Sequence, residues 1–200
     1  AADAKSLDQY IAEHPFSPQE ATLRVTANLF DVASLQEQYN KIKANNLQSI
    51  GTAGDLYYGQ DNKIQFKING DLRPIIRYPH RKDDDKTGAI VMYESPYKNQ
   101  NQQVPHNLYV LCHDPYGQNQ SADSMSLGSA YVIKRVNNIS TPDDIIVASY
   151  VGRPHTQDAY NKNLFMLADY YNCKIGFEND RGEVIAYAKR HRKMHRLQEE

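Results

Sequence analysis

Between Asn107 and Leu197 short apolar runs alternate with longer periodic segments in one fixed order, and that order limits the folds open to the chain. Residues 107–112 (Asn-Leu-Tyr-Val-Leu-Cys) form a continuous apolar run, as expected of a strand buried on both faces. The run stops at His113-Asp114-Pro115-Tyr116-Gly117. Residues 129–136 and 145–151 read as two more strands, with Thr141-Pro142-Asp143-Asp144 as the turn between them. Over 156–171 the period changes, and Tyr160, Leu164, Leu167, Ala168 and Tyr171 line one face of an amphipathic helix. Lys174-Ile175-Gly176-Phe177 is a fourth strand ending at Glu178-Asn179-Asp180, and a basic helix follows over about 182–197. The order β-β-β-α-β-α predicts an α/β fold, a mixed sheet flanked by helices. A helical crossover after the third strand can bring the fourth alongside the first.

Upstream the pattern is helical, then β. Ser17-Pro18-Gln19-Glu20 and Ser34-Leu35-Gln36-Glu37 both read as capping boxes, and Leu35, Tyr39 and Ile42 recur at helical spacing. Asn45-Asn46 predicts the end of that helix. Residues 51–97 carry strand-like runs at 56–58, 64–68 and 89–93. Asn69-Gly70 predicts a hairpin turn, and Pro74 limits the strand after it to a sheet edge. The polar residues 98–103 read as a linker or long loop. The expected division is a helical and β connector subdomain over 1–105 and an α/β domain over 106–200.

Composition excludes several classes. In 200 residues, 40% are apolar and 24% charged, which is incompatible with wholesale disorder. No apolar run reaches the roughly 18 residues a membrane span requires, and residues 1–5 lack the features of a signal peptide. Cys112 and Cys173 are too few for a disulfide scaffold and are not spaced as a metal pair; both are expected at buried strand positions, in a reduced cytoplasmic setting. A catalytic Cys112–His113 pair is disfavoured because strand neighbours point to opposite faces. Asp83, Asp84 and Asp85 read as an exposed loop. The sequence lacks the GxxxxGK[ST], GxGxxG, HExxH and GxSxG motifs.

Two constellations carry possible chemistry. Asp114 and Glu178 each end a strand expected at the centre of the sheet, and the crossover would make them neighbours. Adjacent carboxylates repel, and a divalent cation held by oxygen ligands is the usual compensation. The plain alternative is turn chemistry at Asp114-Pro115 and a solvated strand end at Glu178. Asp180 suits an N-cap with Glu183 three residues on, and Asp123 suits a solvated loop. The second constellation is cationic. Net charge is -1, yet five cations and no anion lie between Lys189 and Arg196. Lys189, Arg192, Lys193 and Arg196 fall at i, i+3, i+4, i+7, a stripe suited to a phosphate backbone or simply to solvent, with His191 and His195 on or beside it.

From Tyr109 to Arg196 the chain resembles the nuclease domain of the large terminase subunit of tailed bacteriophages, which has an RNase H-like fold. The resemblance lies in the strand ending at Asp114-Pro-x-Gly, in Ala-Ser-Tyr-Val-Gly-Arg153-Pro154, in the helix over Tyr160 to Tyr171, and in Ile-Gly-Phe-Glu178-Asn179-Asp180-Arg-Gly182. The N-terminal His-Pro-Phe-Ser-Pro-Gln-Glu-Ala is similar to the segment leading out of the motor domain, so 1–105 resembles the connector with an extra β subdomain. The resemblance implies a metal-dependent endodeoxyribonuclease using two Mg2+ or Mn2+ ions. It makes Asp114 and Glu178 the first two metal-binding carboxylates and catalytic residues, with Asp123 a less essential acid and Asp180 a supporting one. It implies double-stranded DNA as substrate. An upstream ATPase motor of the same protein, a small terminase subunit and a portal would be partners in the host cytoplasm, away from membrane. The chain departs from the family in its polar loop after Gly117 and in lacking the motor. It also lacks the strand and helix that bear the family's third carboxylate, so a fragment with weak, Mn2+-favouring nicking or no cleavage is expected. A resolvase or transposase-type nuclease, or a non-catalytic nucleic-acid-binding module of the same fold, are the alternatives.

Overall fold

The structure, a computed structural model, describes residues 31–44, 51–76, 84–116, 126–140, 143–178 and 183–198. The chain divides into two units, Ala1–Ile50 and Gly51–Glu200. In the first, helix α1 spans Val32–Ala44. Its cap is Asp31 rather than the expected Ser34. The Asp31 carboxylate accepts the backbone N–H of Ala33 (3.0 Å) and of Ser34 (3.3 Å), and also the Ser34 hydroxyl (2.6 Å). A carboxylate satisfies the first N–H groups and meets the positive end of the helix dipole, so it outcompetes a hydroxyl three residues inside. Leu35 and Tyr39 are exposed. The box at Ser17 and the helix stop at Asn45-Asn46 lie outside the described residues.

The second unit is built on one seven-stranded sheet, β1 (Thr52–Tyr58), β2 (Ile64–Ile68), β3 (Ile90–Met92), β4 (Tyr109–Asp114), β5 (Gly128–Lys134), β6 (Ile145–Gly152) and β7 (Lys174–Phe177). The strand order is β2-β1-β3-β6-β5-β4-β7, and only the β4–β7 pair is parallel. Helix α2 (Gln157–Tyr170) makes the crossover that returns β7 beside β4, and α3 (Glu183–Arg190) follows β7. The unit is therefore a mixed α/β sheet flanked by helices. Among the described residues no helix is long and apolar enough to cross a membrane.

Helix α2 starts where the Thr156 hydroxyl accepts the Ala159 N–H (3.1 Å). Tyr160, Leu164, Leu167 and Ala168 on its inner face, and Tyr171 beyond it, are fully buried, as their spacing predicts. They meet Leu111, Ala130, Val132, Ala148 and Tyr150 of the central strands in a single core. Burial on β4 alternates: Tyr109, Leu111 and His113 are buried, while Cys112 and Asp114 are exposed. The strand is thus covered on one face, not both, and Cys112 is not a core residue. Cys173 is buried, which pushes its thiol up to about 12.

The expected break after residue 105 does not separate two bodies. Strand β3 pairs with β6, Ile90 opposite Tyr150 and Met92 opposite Ala148, so β1–β3 extend the same sheet. Residues 98–103 close a loop rather than link domains: the Asn99 N–H donates to the Gln103 carbonyl and the Gln102 N–H to the Asn99 carbonyl (both 2.9 Å). The hairpin lies between β1 and β2, where Asn62 takes a positive φ of 59°. Asn69-Gly70 makes a turn, but no strand follows it in residues 72–76, where Pro74 removes a ladder donor.

Candidate metal centre

Strands β4 and β7 leave the sheet side by side at their C-terminal ends. Their parallel register runs Val110 opposite Lys174 to His113 opposite Phe177, and Asp114 and Glu178 are the next residue on each chain. Neighbouring strands lie about 4.8 Å apart. Both residues are exposed, and among the described residues neither carboxylate takes part in a hydrogen bond or ion pair. Two exposed acids in this row of strand ends supply the oxygen donors that a hard divalent ion prefers. Among the described residues no group of three or more His, Cys, Asp or Glu side chains is set to hold a metal ion. Asp123 and Asp180, also expected as ligands, lie outside the described residues.

Under this row, on the opposite face of β4, lies a buried aromatic group. The Nδ1 of His113 lies 3.1 Å from the Ser129 carbonyl, which can only accept, so Nδ1 carries the proton and Nε2 is a buried acceptor without a partner among the described residues. Burial lowers the His113 pKa, and the ring is neutral. The Tyr160 ring stacks on Tyr150 at 4.9 Å and meets the edge of Tyr116 at 5.4 Å. Burial raises the Tyr116 hydroxyl to about 12, with a smaller push from Tyr150. These phenols stay protonated across the physiological range. Cys112 and His113 occupy opposite faces, as strand alternation requires, so they form no nucleophile–base pair.

The basic segment does not form the expected stripe. Helix α3 ends at Arg190, and Arg192 takes a positive φ of 56°. The Lys193 N–H then reaches back to the Ala188 carbonyl (2.8 Å), closing the helix as a Schellman motif does. Lys193 and Arg196 turn inward and share the Asp169 carboxylate of α2, with Arg196 Nε at 2.6 Å. Arg190 pairs with Asp158 at 2.5 Å. Of the four stripe residues, Lys189 and Arg192 stay exposed and, among the described residues, unpaired.

Arg153 stands at the strand end that carries Asp114. Its guanidinium carbon lies 4.8 Å from the Tyr116 ring centroid, and its Nη1 donates to the Ser126 carbonyl (2.8 Å) and hydroxyl (3.2 Å). The residue belongs to the Gly-Arg-Pro element, yet its partners are too distant in sequence for spacing to reveal them. Comparison with family models, with curated proteins and with solved structures found no match.

Proposed function

We propose that this unit is the metal-dependent endonuclease domain of a phage DNA-packaging terminase, with an RNase H-like topology, acting on double-stranded DNA in the host cytoplasm. The observation that carries the reading is the position of Asp114 and Glu178 at the C-terminal ends of adjacent parallel strands, both exposed and, among the described residues, without a hydrogen-bond or ion-pair partner. The topology supports it. Strands β6-β5-β4 form an antiparallel meander, α2 crosses over, and β7 adds parallel beside β4. Leu197 then makes a parallel bridge to Ile175, with the Gln198 N–H on the Ile175 carbonyl (3.0 Å), so a further parallel position opens beyond β7.

The two carboxylates fit Mg2+ or Mn2+, which prefer oxygen ligands. When bound, two such ions supply an activated water and charge neutralisation at the leaving oxygen. The protein's own part is to present Asp114 on the last rung of β4, where pairing with Ser129 fixes its backbone, and Glu178 one step beyond β7. Asp123 and Asp180 remain proposed auxiliary ligands. Lys189 and Arg192 are the surface cations available to a phosphate backbone; Lys193 and Arg196 are engaged by Asp169.

The test is Mn2+ binding followed by electron paramagnetic resonance, together with nicking of supercoiled DNA, for wild type, Asp114→Ala and Glu178→Ala. Mn2+ binding and Mn2+-dependent nicking that both substitutions abolish support the reading. DNA binding without metal binding would favour the non-catalytic nucleic-acid module, which the exposed Lys189 and Arg192 also suit.

A further inference from the structure

We infer that Arg153 is a positioning residue for the proposed metal centre, holding the chain that leaves Asp114 so that its carboxylate stays in the row with Glu178. The inference rests on the nuclease reading and adds a residue to it.

Strands β4 and β6 both run antiparallel to β5, with Asp114 opposite Ser129 and Ser129 opposite Val151. Arg153, two residues past Val151, therefore leaves the sheet at the same end as Asp114. Its own backbone is tightly held. The Arg153 N–H donates to the Lys86 carbonyl at 2.5 Å. The strand lead-in passes so close that a Cβ on Gly152 would collide with the Thr87 carbonyl, and one on Gly88 (φ 72°) with the Val151 carbonyl. Only glycine allows that crossing. Pro154 then ends the strand, and Thr156 caps α2.

From this fixed base the side chain reaches across to β4 and β5. The guanidinium lies over the Tyr116 ring while donating to Ser126, the residues flanking 117–125 on either side. Tyr116 has little freedom of its own. It packs on Tyr160, and a Cβ at Gly128 would lie 2.8 Å from Tyr116 Cδ1 and 2.6 Å from Tyr160 Cζ. Between Tyr116 and Asp114 there is only Pro115, whose ring fixes φ. The Asp114 backbone is thus held on one side by the β4–β5 ladder and on the other by the clamped tyrosine. A planar guanidinium can stack and donate at once, which an ammonium cannot.

The experiment is Mn2+ titration by electron paramagnetic resonance on the full 200-residue chain, with thermal unfolding in metal-free buffer as the fold control. The variants are Arg153→Ala, Arg153→Lys, Tyr116→Leu and Asp114→Ala. Loss of an outer support typically costs 10–100-fold in metal affinity, so Arg153→Ala is expected to weaken Mn2+ binding about tenfold with a near-native unfolding midpoint. Arg153→Lys should recover part of the loss. Tyr116→Leu, which removes the ring beneath the guanidinium, should weaken binding in the same direction and add little to Arg153→Ala. If Arg153→Ala does not fold, Arg153→Lys and Tyr116→Leu decide the question alone. Wild-type affinity in every folded Arg153 and Tyr116 variant, while Asp114→Ala loses binding, overturns the role of Arg153 and leaves the metal site standing. Absence of Mn2+ binding in wild type, or its persistence in Asp114→Ala, overturns the metal site and the inference with it.

Discussion

Replacing Asp114 with Asn should stabilise the metal-free protein and abolish its stabilisation by metal, two effects of opposite sign from one substitution. The side chain keeps its shape and exposure, so packing is unchanged and only the charge goes. Across one strand spacing of about 4.8 Å, the repulsion between two carboxylates in water is about 0.9 kcal/mol. At physiological ionic strength screening leaves about 0.5 kcal/mol of it. For a chain of this size that corresponds to a rise of about 1–2 °C in unfolding midpoint. An ion present at 100 times its dissociation constant stabilises the wild type by about 2.7 kcal/mol, or about 5–10 °C. Differential scanning fluorimetry with chelator and with a Mn2+ series reads both. The crossing of the two curves is the signature: variant above wild type without metal, wild type above variant with it. A lower apo midpoint for Asp114→Asn would mean that the carboxylate has a stabilising partner. A Mn2+-dependent shift that survives the substitution would place the ion elsewhere.

Three further outcomes follow from the geometry. Asp169→Ala strips two partly buried cations of their shared partner and should cost about 2 kcal/mol, since hydrogen bonds to charged groups contribute about 1.5–3 kcal/mol and partial exposure discounts the sum. Hydrogen exchange at the Gln198 amide should accelerate with it, and protection equal to wild type would show that Asp169 does not tie down the tail. Neutralising Lys189 and Arg192 to Gln should reduce the slope of log binding constant against log salt by about 1.8 on duplex DNA, whereas Lys193→Gln should lower stability and leave the slope unchanged. His113 supplies the pH dependence. Its folded pKa lies below the ordinary 6.5, so above pH 6.5 neither state is protonated. As pH falls below about 6.5 the unfolded chain takes up a proton that the folded chain refuses, and stability declines. Urea midpoints at pH 7.5 and 5.5 should separate in wild type and separate less in His113→Gln.

Elements whose cause is local were legible in the sequence. The period of α2 and the short run Lys174-Ile175-Gly176-Phe177 of β7 depend on their own neighbours, and both lie where the pattern predicts them. The parallel β4–β7 pairing follows from one inference, that a helical crossover after the third strand brings the fourth alongside the first. Non-local causes were hidden. The helix through residue 197 is broken by Arg192 in the left-handed region, where no glycine marks the stop and the cation spacing continues unbroken. The apolar run before Asp114 reads the same whether one face or two is covered, so the exposure of Cys112 could not be seen. The β3–β6 pairing joins residues about 60 positions apart, and no periodicity reports it. Arg153 was visible as part of a motif, but its meaning depends on Tyr116 and Ser126, 37 and 27 residues upstream.

That β3–β6 pairing also decides how the chain can be cut. Strand β6 sits between β5 and β3, and its backbone groups from Ala148 to Tyr150 are taken up by the three residues of β3. Removing everything before residue 106 would turn β6 into an open edge lined by Ala148, Ser149 and Tyr150, all buried in the intact sheet. An unprotected apolar edge recruits strands from other molecules. An expression fragment beginning near Gly51 keeps the edge covered, and one beginning near residue 106 is expected to self-associate, which light scattering would detect. The β1–β3 segment thus serves as a built-in guard against aggregation.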